Sequence, residues 1–359
     1  MLKYLVVLLE ERAVSFCHYD SGSARPDAAS APMPLATLKA TAEYARSRDL
    51  AINFVYGSRP LPVRHAAAIE KTNHIKMVPF PLSNSFDAAV VVAGPEDLDS
   101  IGELESNRDR VLILRLNKAS LPDLARIVEA IWGRFRRLNL CLLDIEKCTD
   151  DDIDLYRSQL LQVSETLLQR SSHDPNVELN CLTDRLMLTE MRNCDAGIQH
   201  VTVAPNGRLY ICPAFYYRDA RDSTGDLTGE PVVPNGQLLQ IDHAPICSRC
   251  DAYQCRRCVF LNQTLTNELN TPSWQQCRLS HAEREASRQL AARLASLGIS
   301  GDIPPIPELD YNDPFELVTR QQEEPPPQPR PDDDVADLTD RQLLERIYHI
   351  QMEVLSRLR

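Results

Sequence analysis

Seven of the eleven cysteines in this 359-residue chain fall between Cys194 and Cys277. Cys247 and Cys250, then Cys255 and Cys258, form two C-x-x-C pairs inside one run, ICSRCDAYQCRRC. Such a pair converges two thiolates on one point, and its short turn lets backbone N–H groups hydrogen-bond the sulfurs. Small thiols buried only as core filler have no reason to be paired, so the chemistry implied is metal ligation. A tetrahedral ion takes four ligands; with Cys194, Cys212 and Cys277 added, the set is large enough for two sites. One zinc on Cys247, Cys250, Cys255 and Cys258 is one reading, although the gap between the pairs is short for a single ion. Two iron–sulfur clusters suit the count better, because cluster irons stand apart and accept dispersed thiolates.

The elements that must position these thiols change in kind near residue 190. Upstream, apolar runs such as AINFVY, HIKMVPF, DAAVVVA, VLILRL and LNLCLLDI alternate with helical patterns, among them PLATLKATAEYARSR, SLPDLARIVEAIWGRF and DDIDLYRSQLLQVSETLLQR. Strands that are apolar on both faces, each followed by a helix, predict a parallel sheet covered by helices, a partial barrel or a doubly wound fold. VLLEERAVSFCHY predicts a first strand region, EDLDSIGELES a helix and NVELNCL a last strand. Downstream, IQHVTVAPNGRLYIC alternates, turns at Pro205-Asn206-Gly207 and alternates again, which predicts a β-hairpin. HAEREASRQLAARLASLG predicts a helix closed by Gly298.

The organisation expected is therefore a β/α region over 1–190, a cysteine-rich region over 191–300, a proline- and acid-rich linker over 301–337 and a tail helix over 338–359. The tail opens on a capping-box pattern at Thr339–Gln342 and carries Leu343, Ile347, Ile350 and Val354 at helical spacing. It reads as a docking helix, for this chain or for a second protein.

Composition sets limits on partners. A net charge of −12 argues against a nucleic-acid binder, which needs a basic surface. Apolar runs fall short of the roughly 18 residues a membrane span requires. The N-terminal MLKYLVVLLEERAVSF reads as a buried strand rather than a signal peptide, since Glu10, Glu11 and Arg12 end its apolar run. Without export, the cysteines are expected as thiols or metal ligands rather than disulfides, in the cytoplasm.

The pattern C-x12-G-x4-C from Cys194 through Gly207 to Cys212, then C-x2-C-x4-C-x2-C, then Cys277, resembles the SPASM domain, the auxiliary-cluster domain of many radical SAM peptide-modifying enzymes. Both middle gaps are one residue shorter than the family's usual C-x2-C-x5-C-x3-C. The resemblance implies two [4Fe–4S] clusters. Cys247, Cys250, Cys255 and Cys277 would hold one. Cys194, Cys212 and Cys258 would hold the other, with its fourth position open or taken by a nearby residue such as Cys181.

A radical SAM enzyme also needs C-x3-C-x2-C after its first strand. Cys17 stands where the first of these ligands would be, but the next two positions are Ser21 and Ala24. The family's Gly-Gly-Glu-Pro motif is matched here by Gly57-Ser58-Arg59-Pro60, so a cation replaces the acid that helps bind the methionine ammonium. No residue is therefore assigned to S-adenosylmethionine. The whole chain resembles CXXX repeat peptide maturases, radical SAM-like proteins without the usual cluster motif. That resemblance implies a maturation protein for a ribosomally synthesised, cysteine-containing precursor peptide. Two alternatives belong to other classes: a non-catalytic adaptor presenting the precursor to a separate enzyme, and a zinc-stabilised binding protein.

Other residues are weaker candidates. Cys17 and His18 at a strand end would lie at a barrel mouth, where they would form a thiol–imidazole pair, ligate a metal, or simply be buried. Asp150, Asp151 and Asp152 read as helix capping beside Asp144, Glu146 and Cys148. Cys141 reads as core. His200 and His243 read as surface residues that could complete the three-cysteine cluster.

Overall fold

The apolar strands assemble as their composition requires. In the computed structural model, β1 (Tyr4–Leu8) pairs in parallel with β2 (Ala51–Val55), and the parallel order continues through β3 (His74–Pro79), β4 (Val90–Ala93), β5 (Val111–Leu116), β6 (Arg137–Leu142) and β7 (Glu178–Leu179). On the other side of β1 lies β8 (His200–Val203), also parallel, followed by antiparallel β9 (Arg208–Tyr210) and β10 (Gly225–Asp226). The described strands thus form one sheet in the order β10-β9-β8-β1-β2-β3-β4-β5-β6-β7. The structure describes residues 2–24, 31–86, 89–102, 110–171, 178–191 and 194–298. The expected linker and tail helix lie outside them.

Alternation along β1 divides the interior in two. Leu5, Val7 and Leu9 join the large core under the helices α1 (Leu35–Ser47), α2 (Val63–Ile69), α3 (Leu124–Ile131) and α4 (Asp150–Ser171). Val6 and Leu8 face the opposite side, against Ala13, Tyr19, Tyr210 and the helix α6 (Pro213–Arg218), which follows α5 (Asn180–Met187) in the chain. Side chains two apart point to one face of a strand, so a run of five apolar residues serves two cores at once.

Three expectations change. The first strand ends at Leu8, and the apolar run AVSF beyond it is a folded loop rather than more sheet. Its Val14 N–H donates to Tyr56 O at 2.7 Å, and Ser21 Oγ closes the loop on Ala13 O at 2.7 Å. The predicted last strand stops after two residues, because the Asn180 side chain takes over the next ladder position: Oδ1 accepts from Leu140 N at 2.8 Å and Nδ2 donates to Leu140 O at 3.0 Å. Helix α5 then begins, carrying Cys181. Of the helix expected over EDLDSIGELES, the turn Leu98–Ile101 is present, and residues 103–106 lie outside the described residues.

Two further helices complete the fold: α7 (Val259–Thr266) and α8 (Trp274–Ser296). Helix α8 starts earlier than its apolar periodicity predicts. Ser273 caps it, its side chain accepting from Gln276 N at 3.2 Å, which places Cys277 in the first turn. The capping reading of the aspartates holds in part. Asp152 Oδ2 accepts from Thr149 N at 2.8 Å at the start of α4 and pairs with Lys118 Nζ at 2.9 Å.

Candidate metal centre

None of the eleven cysteines is joined in a disulfide. Seven of their side chains fall into two electrostatically linked groups. In the first, burial pushes the Cys212 thiol far up, and Cys17 and Cys194 raise it further. Burial does the same to Cys258, with Cys194, Cys17 and Cys212 adding to it. Cys17 is pushed up to about 12 by burial, then by Cys141 and Cys194. Thiols that each resist the ionisation of the others share a low-dielectric space and need a cation or a metal to become thiolates.

The second group is held by the loop that runs from the short 3-10 turn Cys247–Arg249 to Cys258. Cys247 is pushed up to about 12 by burial, then by Cys255 and Cys250. Ala252 N–H points at Cys250 Sγ and Arg257 N–H at Cys255 Sγ, each at 3.4 Å, the sulfur-directed amides that paired cysteines predict. Cys250 Sγ lies 3.7 Å from His281 Nε2, and the Ser280 hydroxyl bonds the Cys255 sulfur. Residues three and four apart share a helix face, so Cys277 lies on the face of α8 that carries Ser280 and His281. The loop is anchored by Asp251, buried with Arg185 from α5 at 2.8 Å and Arg284 from α8 at 3.1 Å.

Arg256 acts on the first group. Its charge opposes burial at Cys17, Cys141 and Cys194 and at Glu283. It borders two cavities. One, of about 460 Å³, is lined by Cys194, Asp195, Asp242 and Arg257. The other, about 80 Å³, is lined by His18, Cys141, Tyr156 and Glu283. A larger groove of about 660 Å³ runs between α1 and α2 and is lined by none of the cysteines.

The weaker candidates are placed as follows. His18 faces Cys141 rather than Cys17: its Nδ1 lies 3.9 Å from Cys141 Sγ. Burial raises the Cys141 thiol, but His18, Arg256 and Arg115 outweigh it and bring it down to about 7. Cys181 lies with Tyr156 and Glu283, and Cys148 with Asp152 and Asp144, outside both groups. His200 is buried and stacks on Tyr4 at 4.8 Å, whereas His243 is exposed.

Among the described residues, no three of His, Cys, Asp and Glu converge closely enough to hold a single metal ion. A tetrahedral zinc with bonds of about 2.3 Å would bring its sulfurs within about 4 Å of one another. Buried thiols with sulfur-directed amides are the donor chemistry that an iron–sulfur cluster uses. The loop after β1 does not fit a three-cysteine cluster site. Ser21, at the second ligand position, spends its hydroxyl on Ala13 O and its amide on Ser15 Oγ at 2.9 Å. At the Gly57–Pro60 turn, Arg59 is answered from within: Glu10 is buried, 3 % exposed, and packs on Gly57, where burial raises its carboxyl and the Arg59 charge lowers it.

No protein-family model and no curated protein matches the sequence. Among solved structures, the chain is similar to that described as "Native anSMEcpe with bound AdoMet and Cp18Cys peptide", at 10% identity and a TM-score of 0.56, covering 82% of this chain and 99% of that one. The fold is a radical SAM-like partial barrel. The structure of BtrN in complex with AdoMet and 2-DOIA is a more distant likeness, at 12% identity, with 63% of this chain and 78% of that one covered and a TM-score of 0.25. No described helix is long and apolar enough to cross a membrane.

Sequence reasoning missed three things: the approach of Cys17 to the hairpin thiols, the pairing of His18 with Cys141, and the role of Asp251. Only the last left a local signal, an acid set between the two C-x-x-C pairs.

Proposed function

We propose that this chain is a maturation protein for a ribosomally synthesised, cysteine-containing peptide, which it binds beside SPASM-type iron–sulfur clusters without cleaving S-adenosylmethionine. The observation that carries this reading is the pair of coupled thiol groups on a radical SAM-like fold whose first loop holds one cysteine, Cys17, in place of three.

In this reading residues 1–190 are the barrel and 191–300 the cluster-bearing region. Cys247, Cys250, Cys255 and Cys277 hold one [4Fe–4S] cluster, and Cys194, Cys212 and Cys258 belong to a second. Bound clusters supply one-electron transfer or a place to ligate thiolate. Arg256 offsets the negative charge such centres carry, and Asp251 fixes the loop between the paired cysteines. The 460 Å³ cavity beside Cys194 has room for a peptide side chain and offers both cations and carboxylates to it. The neighbour determined with a bound peptide supports a peptide as the ligand.

The test uses the full chain purified without oxygen, together with the precursor peptide encoded beside it. About eight irons and eight sulfides per chain, peptide binding, and no 5′-deoxyadenosine from S-adenosylmethionine with reductant are expected. Zinc without sulfide would turn the protein into a metal-stabilised binding protein. Deoxyadenosine formation would make it a SAM-cleaving enzyme. A change in peptide mass only when a second maturation protein is added, and lost with residues 338–359, would make it an adaptor.

A further inference from the structure

Three segments far apart in sequence meet on the Val6/Leu8 face of β1. The loop after β1 brings Phe16, Cys17 and Tyr19; the hairpin brings Cys194 and Cys212; the start of α7 brings Val259, directly after Cys258. Tyr19 stacks on Tyr217 of α6 at 5.3 Å, and Phe215 of the same helix meets Phe260 of α7 edge-on at 5.6 Å. These ring contacts tie together the segments that carry Cys17, Cys212 and Cys258. From the far side, Arg115 of β5 holds the loop in place, Nε on Cys17 O at 3.1 Å and Nη2 on Tyr19 O at 2.7 Å.

We propose that Cys17 is the fourth thiolate of the centre formed by Cys194, Cys212 and Cys258, so that the loop after β1 closes a cluster otherwise built by the region beyond residue 190. This rests on the reading that these thiols hold an iron–sulfur cluster. The packing agrees with it: Cys17, Cys194 and Cys212 belong to one buried cluster, which Val259, the neighbour of Cys258, also joins. Competing donors are accounted for elsewhere. Cys181 lies with Tyr156 and Glu283, Cys148 with Asp152, and Cys141 with His18, while His243 is exposed.

The assignment has a chemical consequence. Four cysteinyl thiolates leave no open iron on a four-iron cluster. This centre would then carry electrons or hold the fold, and a precursor thiolate would have to be met elsewhere. It also gives Cys17 a ligand role although positions 21 and 24 supply no thiol.

The experiment compares the full chain with Cys17→Ser, Cys141→Ser and Cys181→Ser variants. Each is reconstituted anaerobically with iron and sulfide, then read by iron per chain and by electron paramagnetic resonance. Cys17→Ser should either fall from about eight irons to about four or open one cluster to a three-iron form with a signal in the oxidised state. Cys141→Ser and Cys181→Ser should match the parent. Parent-like iron and spectra in Cys17→Ser would overturn the assignment while leaving the clusters standing; a parent without iron and sulfide would overturn the cluster reading itself. Should Cys17→Ser not fold, Cys17→Sec keeps the side chain's shape. Iron bonded to selenium in X-ray absorption is then the expected result, and selenium without an iron neighbour refutes the assignment.

Discussion

Arg115 Nε donates to the backbone carbonyl of Cys17 at 3.1 Å, so a side chain from β5 fixes a residue 98 positions earlier, in the loop that follows β1. The same guanidinium donates to Tyr19 O at 2.7 Å. Hydrogen bonds from a charged donor are stronger than neutral ones, and both carbonyls would lose their partner together. Arg115→Leu should therefore destabilise the chain by roughly 2–4 kcal/mol. Anaerobic urea unfolding reads this directly. A change below about 0.5 kcal/mol, the scatter of ordinary surface substitutions, would mean that the loop is held by its aromatic contacts alone.

Asp251 is the second anchor. It and Arg185 are 6 % and 4 % exposed, and Arg284 approaches its other oxygen. Removing the carboxylate leaves buried cations without a counter-charge, which costs more than the pair itself contributes. Asp251→Ala is expected to lose roughly 3–5 kcal/mol, and, in a chain loaded with the proposed clusters, to release iron from the Cys247/Cys250/Cys255 group before the other. Equal loss of iron from both groups would show that the loop is not the element Asp251 holds.

The parallel sheet, the hairpin and the cysteine-rich region were legible because each has a local signature: runs apolar on both faces, alternation around Pro205-Asn206-Gly207, paired thiols. The end of β1 was not. AVSF is as apolar as a strand, and only the tertiary fold shows that it covers Val6 and Leu8 rather than pairing with a neighbour. The Asn180 side chain hid the end of the last strand in the same way, standing in for backbone that sequence reasoning supplied as strand. Cys17 lies beside His18 in the chain, which suggested a pair. The loop sends His18 to Cys141 and brings Cys17 among thiols more than 170 residues away. Contacts of that separation leave no periodicity to read.

Glu283 gives the chain a pH dependence. Burial lifts its carboxyl from the ordinary 4.5 to about 7, against hydrogen bonds from Tyr156 OH at 2.8 Å and Gln254 Nε2 at 3.3 Å. A raised folded-state value means that the folded chain binds the proton more tightly than the unfolded one. Its contribution is thus fully favourable below pH 4.5 and is lost as pH rises towards 7. Glu283→Gln keeps the shape without the charge. It should match the parent near pH 4 and exceed it above pH 7, by at most about 3 kcal/mol. Unfolding curves at several pH values check this, and a gap that widens towards low pH would have the wrong sign.

Two glycines of the hairpin region separate backbone strain from packing. Gly197 and Gly207 both have left-handed backbones, with φ of 78° and 77°. An alanine pays a similar backbone cost at either, about 1–2 kcal/mol. Their surroundings differ. A Cβ on Gly207 would meet Thr37 Cγ2 at 3.4 Å, ordinary contact, whereas on Gly197 it would fall 2.5 Å from Leu239 Cδ1, inside the core. Overpacking of that kind adds roughly 1–3 kcal/mol. Gly207→Ala should thus cost about 1–2 kcal/mol and Gly207→Asn less, since asparagine tolerates this conformation. Gly197→Ala should cost more than either. Gly197 lies three residues after Cys194 and bonds His200 O through its N–H at 2.8 Å, so its displacement moves that thiol. Iron loss confined to the Cys194 group in Gly197→Ala, with Gly207→Ala keeping its iron, is the expected pattern. Equal behaviour of the two variants would mean that the hairpin bends as one piece and that Leu239 yields.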